Sequence, residues 1–551
     1  MRKTWEKLSA ILLAVILVLT MMMSVYAEGV TVKKLDTVPS ATDTGAVEIS
    51  GLTVGDQVTF YQIVKANYEN GFKDYEAVKD STIDIFNEDG NAIYPTAEEI
   101  SALALDTENL TTSVGPITAT TDKVTQELAA GEWLVIVTPK EATTIYNPMV
   151  ASVYYTNDDG QAITSGKVGV NESYIINSTT SYVKKSTTDL DKVITGGKDG
   201  EKGEARTIAP DANGKGDDLA IGDTVDFKLS TTVPSYSEEY KNLKFIISDT
   251  LDEGLDLNES SIEIQIAGKT VEAAGYTIKK SAHDFEITFT EDYLRALAKE
   301  NEDQRKLTVT YSATLNEKAT TNFSANENTA KITFTNKPGE NQKAEEIEKK
   351  TYQYTFEIDG SIGGNETTKE HRTHELIKTG EGGEVQDGAI VDDGWSETTV
   401  KSPLKDAKFT LTNKATGKEY TELTDANGYM NFKGLDAGEY ILKETEAPKG
   451  YSLNTREIPV VITAEYNADG TLKSYTITVD GNNTSTYEAT YNNDGTVNEI
   501  HEKAVKSTEI KNTKMNNLPS TGGMGTYLFT FLGVLLMVVG SYSYRKNKKT
   551  A

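Results

Sequence analysis

The chain has 551 residues, with 84 acidic against 55 basic side chains and a formal net charge of −29. This acidity argues against a nucleic-acid partner, because phosphate binding requires clustered cations. The chain contains no cysteine, so an exported form has no disulfides and relies on its cores or on another kind of cross-link.

Residues 1–27 predict a secretory signal peptide. Basic residues precede an apolar stretch over residues 8–25, and Val25 and Ala27 form a small-residue cleavage pattern. The mature chain is therefore predicted to begin at Glu28 and to be exported.

The body of the chain has the patterning of an all-β protein. From residue 30 to about residue 345, short segments of alternating apolar and polar residues are separated by Asp, Asn and Gly. This period of two with frequent turn signals is typical of β-sandwiches. Two short stretches, 96–105 and 291–299, predict helices in connections between strands. We expect tandem Ig-like β-sandwich domains.

Two polar, turn-rich strips near residues 182 and 350 indicate domain boundaries, since few contacts cross such strips. The predicted domains are therefore residues 28–182, 183–349 and 350–515, followed by a C-terminal region over residues 516–551.

In the second domain, a lysine, an acid and two asparagines share the parity of apolar residues in their strands. Lys192 and Asp249 each alternate with apolar residues, so both are predicted to face inward. Asn328 and Asn336 have the same parity in a late strand, and we prefer Asn328 because Asn336 stands beside Pro338. A turn-capping role is the alternative for Asp249. These segments resemble a CnaA-type pilin domain.

The third domain has the most specific motif. Residues 438–451 match the pattern Y-x-L-x-E-T-x-A-P-x-G-Y, which resembles the E-box strand of CnaB-type pilin and adhesin domains. Glu444 in this motif, Lys378 in an early strand and Asn512 in the last strand share parity with apolar neighbours, so all three are predicted to face the core. The insertion over residues 380–403 departs from the family's spacing.

Such a trio has a specific chemistry. Burial pushes a lysine towards its neutral, nucleophilic amine, and a protonated carboxyl can polarise an asparagine amide and shuttle protons while ammonia leaves. In the CnaA and CnaB families such Lys–Asn isopeptide bonds form without an enzyme. The resemblance implies bonds Lys378–Asn512, assisted by Glu444, and Lys192–Asn328, assisted by Asp249. A buried ion pair without covalent chemistry is the alternative.

The C-terminus carries an LPxTG-type motif, an apolar run over residues 526–544 and a basic tail. The run is long enough to cross a bilayer, and the tail favours the cytoplasmic side. This order resembles the cell-wall sorting signals of Gram-positive surface proteins, in which a sortase cuts after the threonine. The motif residues are Leu518, Pro519, Ser520, Thr521 and Gly522.

Taken together, these segments resemble the major (backbone) pilins of sortase-assembled Gram-positive pili, the SpaA/CnaB type. The resemblance implies a structural shaft subunit of a covalent, cell-wall-anchored pilus that supports adhesion and is a sortase substrate, not an enzyme. The implied partners are pilus-type and housekeeping sortases, copies of itself, minor pilins and peptidoglycan; it names no host ligand. A non-polymerised wall-anchored adhesin and a minor pilin are the alternatives.

In that family a lysine near the end of the first domain accepts the threonine of the next subunit. Lys184 and Lys185, in the segment Tyr182–Ser186, stand at this position. Lys140, which ends the segment Trp133–Lys140, is the alternative. No phosphate-binding loop, zinc motif or nucleophile elbow is present, so we expect neither a cofactor nor a metal.

Overall fold

The computed structural model describes residues 31–35, 38–78, 95–105, 107, 110, 112–158, 163, 174–338, 344–362, 371–390, 395–504, 506–515 and 524–547. This part of the chain is all-β, as predicted, and forms three consecutive β-sandwiches followed by a C-terminal helix. The predicted signal peptide and the LPSTG motif lie outside the described residues.

The first sandwich packs a seven-stranded sheet against a three-stranded sheet, with Val47, Phe60 and Trp133 in the shared core. Helix α1 (Ala97–Leu105) covers part of the larger sheet and confirms the first predicted helix. The strands are β1 Thr31–Leu35, β2 Thr44–Ser50, β3 Gln57–Tyr68, β4 Phe72–Ala77, β5 Ser113–Thr118, β6 Lys123–Ala129, β7 Gly131–Thr138, β8 Thr144–Tyr146, β9 Met149–Thr156, β10 Tyr174–Ser178, β11 Thr180–Tyr182 and β12 Lys185–Thr187.

The second sandwich packs two six-stranded sheets, in the orders β13-β15-β22-β18-β19 with β17 on β22, and β14-β24-β23-β16-β21-β20. Helix α2 (Glu291–Leu297), capped by the Thr290 side chain, confirms the second predicted helix. The strands are β13 Asp191–Lys198, β14 Gly216–Asp218, β15 Thr224–Thr232, β16 Phe245–Leu251, β17 Leu255–Leu257, β18 Glu263–Ile266, β19 Lys269–Thr270, β20 Tyr276–Lys280, β21 Asp284–Phe289, β22 Lys306–Leu315, β23 Asn326–Phe334 and β24 Glu345–Tyr354.

The third sandwich packs the sheet β29-β28-β38 and several short strands against the seven-stranded sheet β31-β30-β33-β34-β35-β36-β37. The described residues of the insertion over residues 380–403 form an antiparallel extension of β28 and β29. The strands are β25 Phe356–Ile358, β26 Ser361–Ile362, β27 His371–Arg372, β28 Leu376–Ile390, β29 Ser396–Pro403, β30 Lys408–Asn413, β31 Glu419–Leu423, β32 Phe432–Leu435, β33 Gly438–Glu446, β34 Glu457–Tyr466, β35 Leu472–Val479, β36 Asn483–Tyr491, β37 Val497–Ala504 and β38 Thr508–Lys511.

Strand β24 is shared between the second and third sandwiches. It pairs along its length with β23, yet Tyr352 and Tyr354 at its end pack into the core of the third sandwich. The chain therefore passes position 350 within a strand, and no flexible linker separates the two sandwiches there. The C-terminal helix α3 (Met524–Asn547) is long and apolar enough over Tyr527–Lys546 to cross a membrane.

A buried ionic group, the junction cluster, also joins these two sandwiches. Arg206 lies 3.2 Å from Asp217 and 3.1 Å from Asp223. The carboxylate of Asp218 reaches the third sandwich, where it accepts hydrogen bonds from the Ala437 backbone N–H at 2.6 Å and the Tyr466 hydroxyl at 2.8 Å. One guanidinium faces three buried carboxyls, and burial raises the pKa of Asp217 to about 7.

The junction cluster predicts a pH dependence of stability. Because the pKa of Asp217 is higher in the folded chain than its ordinary value of about 3.8, the unfolded chain loses this proton first, and stability falls as pH rises from about 4 to about 7. The thermal unfolding midpoint should be several degrees lower at pH 8 than at pH 5, measured by calorimetry on residues 28–517.

Asp217→Asn should shrink this difference, because the amide does not titrate. Asp189→Asn, at an exposed carboxyl near the start of the second sandwich, is the matched control. A difference between pH 5 and pH 8 that is unchanged in Asp217→Asn would contradict this prediction.

Candidate cross-linking and acceptor sites

The second sandwich buries a lysine, an acid and an asparagine around one tyrosine. Lys192 on β13 places its Nζ 2.5 Å from Asp249 Oδ2 and 2.9 Å from the Tyr311 hydroxyl. That hydroxyl donates to Asp249 Oδ2 at 2.7 Å and accepts from Asn328 Nδ2 at 3.1 Å. Lys192 and Tyr311 belong to one sheet, and Asp249 and Asn328 to the other, so the group spans the sandwich.

These side chains are completely cut off from water. Lys192 and Asn328 are 0% exposed and Asp249 is 1% exposed. Burial lowers the pKa of Lys192 to about 8, although the Asp249 carboxylate opposes the change, and burial raises the pKa of Asp249. The two shifts favour a neutral amine beside a neutral acid, which is the protonation state that an attack on an amide requires.

The alternative asparagine lies elsewhere. Asn336 is also buried, but it follows the far end of β23, where the Tyr240 hydroxyl donates to its backbone carbonyl at 3.5 Å. Of the two asparagines, the structure brings Asn328 and not Asn336 to Lys192 and Asp249.

The third sandwich buries a comparable group with a different arrangement. Lys378 Nζ lies 2.5 Å from Asn512 Oδ1 and 3.2 Å from Glu444 Oε1. Asn512 Nδ2 donates to the same Glu444 oxygen at 2.8 Å. Lys378 lies on β28, and Asn512 directly follows β38, which pairs with β28 in parallel. Glu444 lies on β33 in the facing sheet. Burial lowers the pKa of Lys378.

Among the described residues, Lys192 and Lys378 are the lysines whose side chains are buried. Each also lies near an aromatic ring, with Lys192 Nζ 5.3 Å from the Phe227 ring centre and Lys378 Nζ 5.3 Å from that of Phe409. In the described part of the first sandwich no lysine is buried, so no such group is found there.

Two of the three candidate acceptor lysines lie at one place, which we call the acceptor cluster. Asp56 accepts a hydrogen bond from the Tyr146 hydroxyl at 2.5 Å and one from the backbone N–H of Lys140 at 2.9 Å. Lys185 pairs with Tyr146 across β12 and β8, and its Nζ donates to Thr53 Oγ1 at 3.3 Å. Residues distant in sequence therefore meet around one buried carboxylate.

All three candidate lysines expose their side chains. Lys184 is held mainly through its backbone, whose carbonyl accepts from the Asn147 N–H at 3.0 Å. Lys140 lies over Gly55, where a Cβ would stand 2.5 Å from Lys140 Cδ and where φ is +101°. A glycine suits that position because its φ is one that residues with a side chain rarely adopt without strain.

Sequence reasoning did not identify Tyr311. It alternates with Val309 and Ala313 on β22 and has the pattern of an ordinary core residue. A tyrosine in place of a purely apolar residue on the face opposite Asp249 was the only available signal, since buried tyrosine hydroxyls require a partner.

Family models match most of the chain in order. A "T6 antigen Ig like domain" matches residues 42–186, a "Gram-positive pilin backbone subunit 2, Cna-B-like domain" residues 221–338, and a SpaA "prealbumin-like fold domain" residues 396–476. An "LPXTG cell wall anchor motif" matches residues 510–551.

Individual proteins agree with these models. The trypsin-resistant surface T6 protein of Streptococcus pyogenes serotype M6 is 25% identical over 92% of this chain and 96% of its own. The collagen adhesin of Staphylococcus aureus is 43% identical, but over 10% of this chain and 5% of that protein. The solved structure of the T6 backbone pilin of S. pyogenes serotype M6 superposes with a TM-score of 0.56 at 19% identity, covering 87% of this chain and all of that one.

The similarity to the solved structure supports the shared fold. The evidence on the type of protein comes from the T6 protein, which matches from end to end, and from the family models, which match in order. They match domains of structural pilus subunits and not of an enzyme family. Together, the ordered family models and the end-to-end relative support a Gram-positive backbone pilin, a structural subunit of the pilus shaft with an LPXTG cell-wall anchor.

Proposed function

We propose that this shaft subunit is stabilised by two internal isopeptide bonds, Lys192–Asn328 and Lys378–Asn512. One observation carries the proposal: in both sandwiches a buried amine, acid and asparagine amide are joined by hydrogen bonds, directly in the third sandwich and through the Tyr311 hydroxyl in the second. In the second sandwich, Oδ1 of Asp249 and Oδ1 of Asn328 are buried without a hydrogen-bond partner among the described residues. Such unsatisfied atoms are costly in a merely structural ion pair.

The reaction needs no outside reagent. The neutral lysine amine attacks Cγ of the asparagine and forms the new C–N bond. A proton passes through the carboxyl of Asp249 or Glu444 to the amide nitrogen, which leaves as ammonia. The product is a secondary amide between the side chains, and the acid ends in its starting protonation state.

We further propose that sortase joins Thr521 of one subunit to an acceptor lysine of the next. Lys185 is the first candidate, because it is exposed and its ammonium is held at the acceptor cluster by Thr53 and by the Tyr146 ring, 5.8 Å away. Lys140 shares that cluster and is the second candidate, and Lys184 is the third. Head-to-tail joining of this kind makes an open filament.

The partners in this proposal are a pilus-type sortase for polymerisation, a housekeeping sortase for transfer to peptidoglycan, minor pilins, and further copies of this chain. A filament of this kind presents protein surface at a distance from the cell wall, where it can meet other surfaces. Support of adhesion is therefore part of the proposed function.

Intact mass spectrometry tests the internal bonds. Each bond releases one ammonia, so residues 28–517 should weigh about 34 Da less than the sequence mass. Asp249→Ala and Glu444→Ala should each restore about 17 Da, because each removes one of the two assisting acids.

Glu132→Ala is the matched control, since Glu132 is a buried carboxyl without a buried lysine nearby and its loss should leave the deficit unchanged. A wild-type mass equal to the sequence mass would refute both bonds.

Polymerisation in a strain that carries a pilus-type sortase tests the acceptor. Lys185→Arg should abolish the high-mass ladder of subunits on a denaturing gel, because a guanidinium keeps the charge but stays protonated and is not a nucleophile. Lys140→Arg and Lys184→Arg test the second and the third candidate, respectively, in the same assay.

Lys198→Arg, at an exposed lysine of the second sandwich, is the matched control and should leave the ladder intact. A ladder that persists when Lys140, Lys184 and Lys185 are all replaced would eliminate the three candidates.

A further inference from the structure

In the second sandwich no hydrogen bond joins the described side chains of Asp249 and Asn328 directly; the Tyr311 hydroxyl lies between them. This hydroxyl donates to Asp249 Oδ2 at 2.7 Å and accepts from Asn328 Nδ2 at 3.1 Å, and Lys192 Nζ lies 2.9 Å away. Tyr311 therefore contacts the nucleophile, the acid and the nitrogen of the leaving group at once.

Among the described residues of the third sandwich, no such intermediary stands between the acid and the asparagine. There Glu444 accepts directly from Asn512 Nδ2 at 2.8 Å and lies 3.2 Å from Lys378 Nζ. Glutamate is one methylene longer than aspartate, so its carboxylate reaches the amide unaided. In the second sandwich Asp249 and Asn328 lie diagonally on the neighbouring strands β16 and β23, and the Tyr311 hydroxyl from the facing sheet bridges the shorter acid to the amide.

Neighbouring residues hold Tyr311 in this position. Its ring stacks on Phe227 with centres 5.1 Å apart and meets Phe285 edge-on at 4.9 Å. Burial raises the pKa of Tyr311 well above its ordinary value of 10, so the hydroxyl keeps its proton. A neutral hydroxyl that both donates and accepts can pass a proton along without becoming charged.

We propose that Tyr311 is a catalytic residue of the second sandwich, which relays the proton from Asp249 to the leaving nitrogen of Asn328. This inference rests on the proposed Lys192–Asn328 bond and names a residue that completes it.

The relay balances. As Lys192 Nζ bonds to Cγ of Asn328, the nitrogen of the lysine gives up a proton to Asp249, which starts as the neutral acid and passes its own proton on. The Tyr311 hydroxyl gives its proton to Nδ2 and takes one from Asp249. The Cγ–Nδ2 bond then breaks, ammonia leaves, and Tyr311 and Asp249 regain their starting states.

Refolding kinetics test the relay. Residues 28–517 are isolated unfolded directly after pulse synthesis, refolded, quenched in acid at intervals and digested. The cross-linked peptides that join residue 192 to 328 and residue 378 to 512 are then quantified by mass in the same sample. In Tyr311→Phe the first bond should form about 100-fold more slowly or worse, because loss of general acid–base help costs 10²–10⁴-fold. The second bond should form at its native rate.

Two further variants separate chemistry from packing. Tyr240→Phe removes another buried hydroxyl from the same core, away from the group, and should leave both rates unchanged. Tyr311→Phe combined with Asp249→Glu should recover most of the lost rate, because the longer acid takes the space of the missing oxygen and reaches Asn328 as Glu444 reaches Asn512.

The outcomes are distinct. A native rate for the 192–328 bond in Tyr311→Phe overturns the relay and leaves the proposed bond standing. A slow rate that Asp249→Glu does not recover overturns the relay in favour of a purely structural role for Tyr311. Absence of the 192–328 peptide from the wild-type chain overturns the proposed bond itself.

Discussion

The burial of two lysines is the constraint on which the sandwiches depend. An ammonium removed from water costs several kcal/mol unless a partner compensates for it or the proton leaves. Lys192 and Lys378 are each completely buried beside an acid and an asparagine. The strands that carry these partners must keep their register, since a slip of one residue would turn a partner to the opposite face. Each group therefore fixes the pairing of its sandwich as well as supplying its chemistry.

The two groups secure different parts of their sandwiches. In the second sandwich, Lys192 and Asn328 lie on facing sheets, so a bond between them prevents the sheets from separating. In the third, Lys378 and Asn512 lie at neighbouring parallel strands, and a bond there closes the seam between β28 and β38. The shared strand β24 and the junction cluster also connect the second sandwich directly to the third.

Strand parity predicted much of this arrangement, because the side-chain period of a strand is fixed by the backbone. Alternation with apolar residues was enough to turn Lys192 and Asp249 inward, and the structure places them in contact. Parity could not identify Tyr311, which looks like any core residue, nor the meeting of Lys140 with Lys185. Those depend on which strands become neighbours, and sequence alternation carries no information on sheet order. The strand that runs through residue 350 was missed for a related reason: its first six residues are mostly polar and partly exposed, as in a linker, and the strand becomes fully buried only in its last four residues.

Strand β24 also determines how the shaft responds to tension. With the proposed bonds in place, a force applied near Lys185 passes from β13 through the bond to Asn328. It then follows the chain to Lys378 and leaves through the second bond. Most strands of the second and third sandwiches therefore carry none of the force. Asn328 and Thr351 are direct partners in the antiparallel pair of β23 and β24. Strands β23 and β24 are therefore loaded at the open end of their pair, where hydrogen bonds break one after another and not all at once. Between its two proposed isopeptide bonds, each subunit would therefore contain a short segment, the β23–β24 pair, that unfolds and lengthens under force.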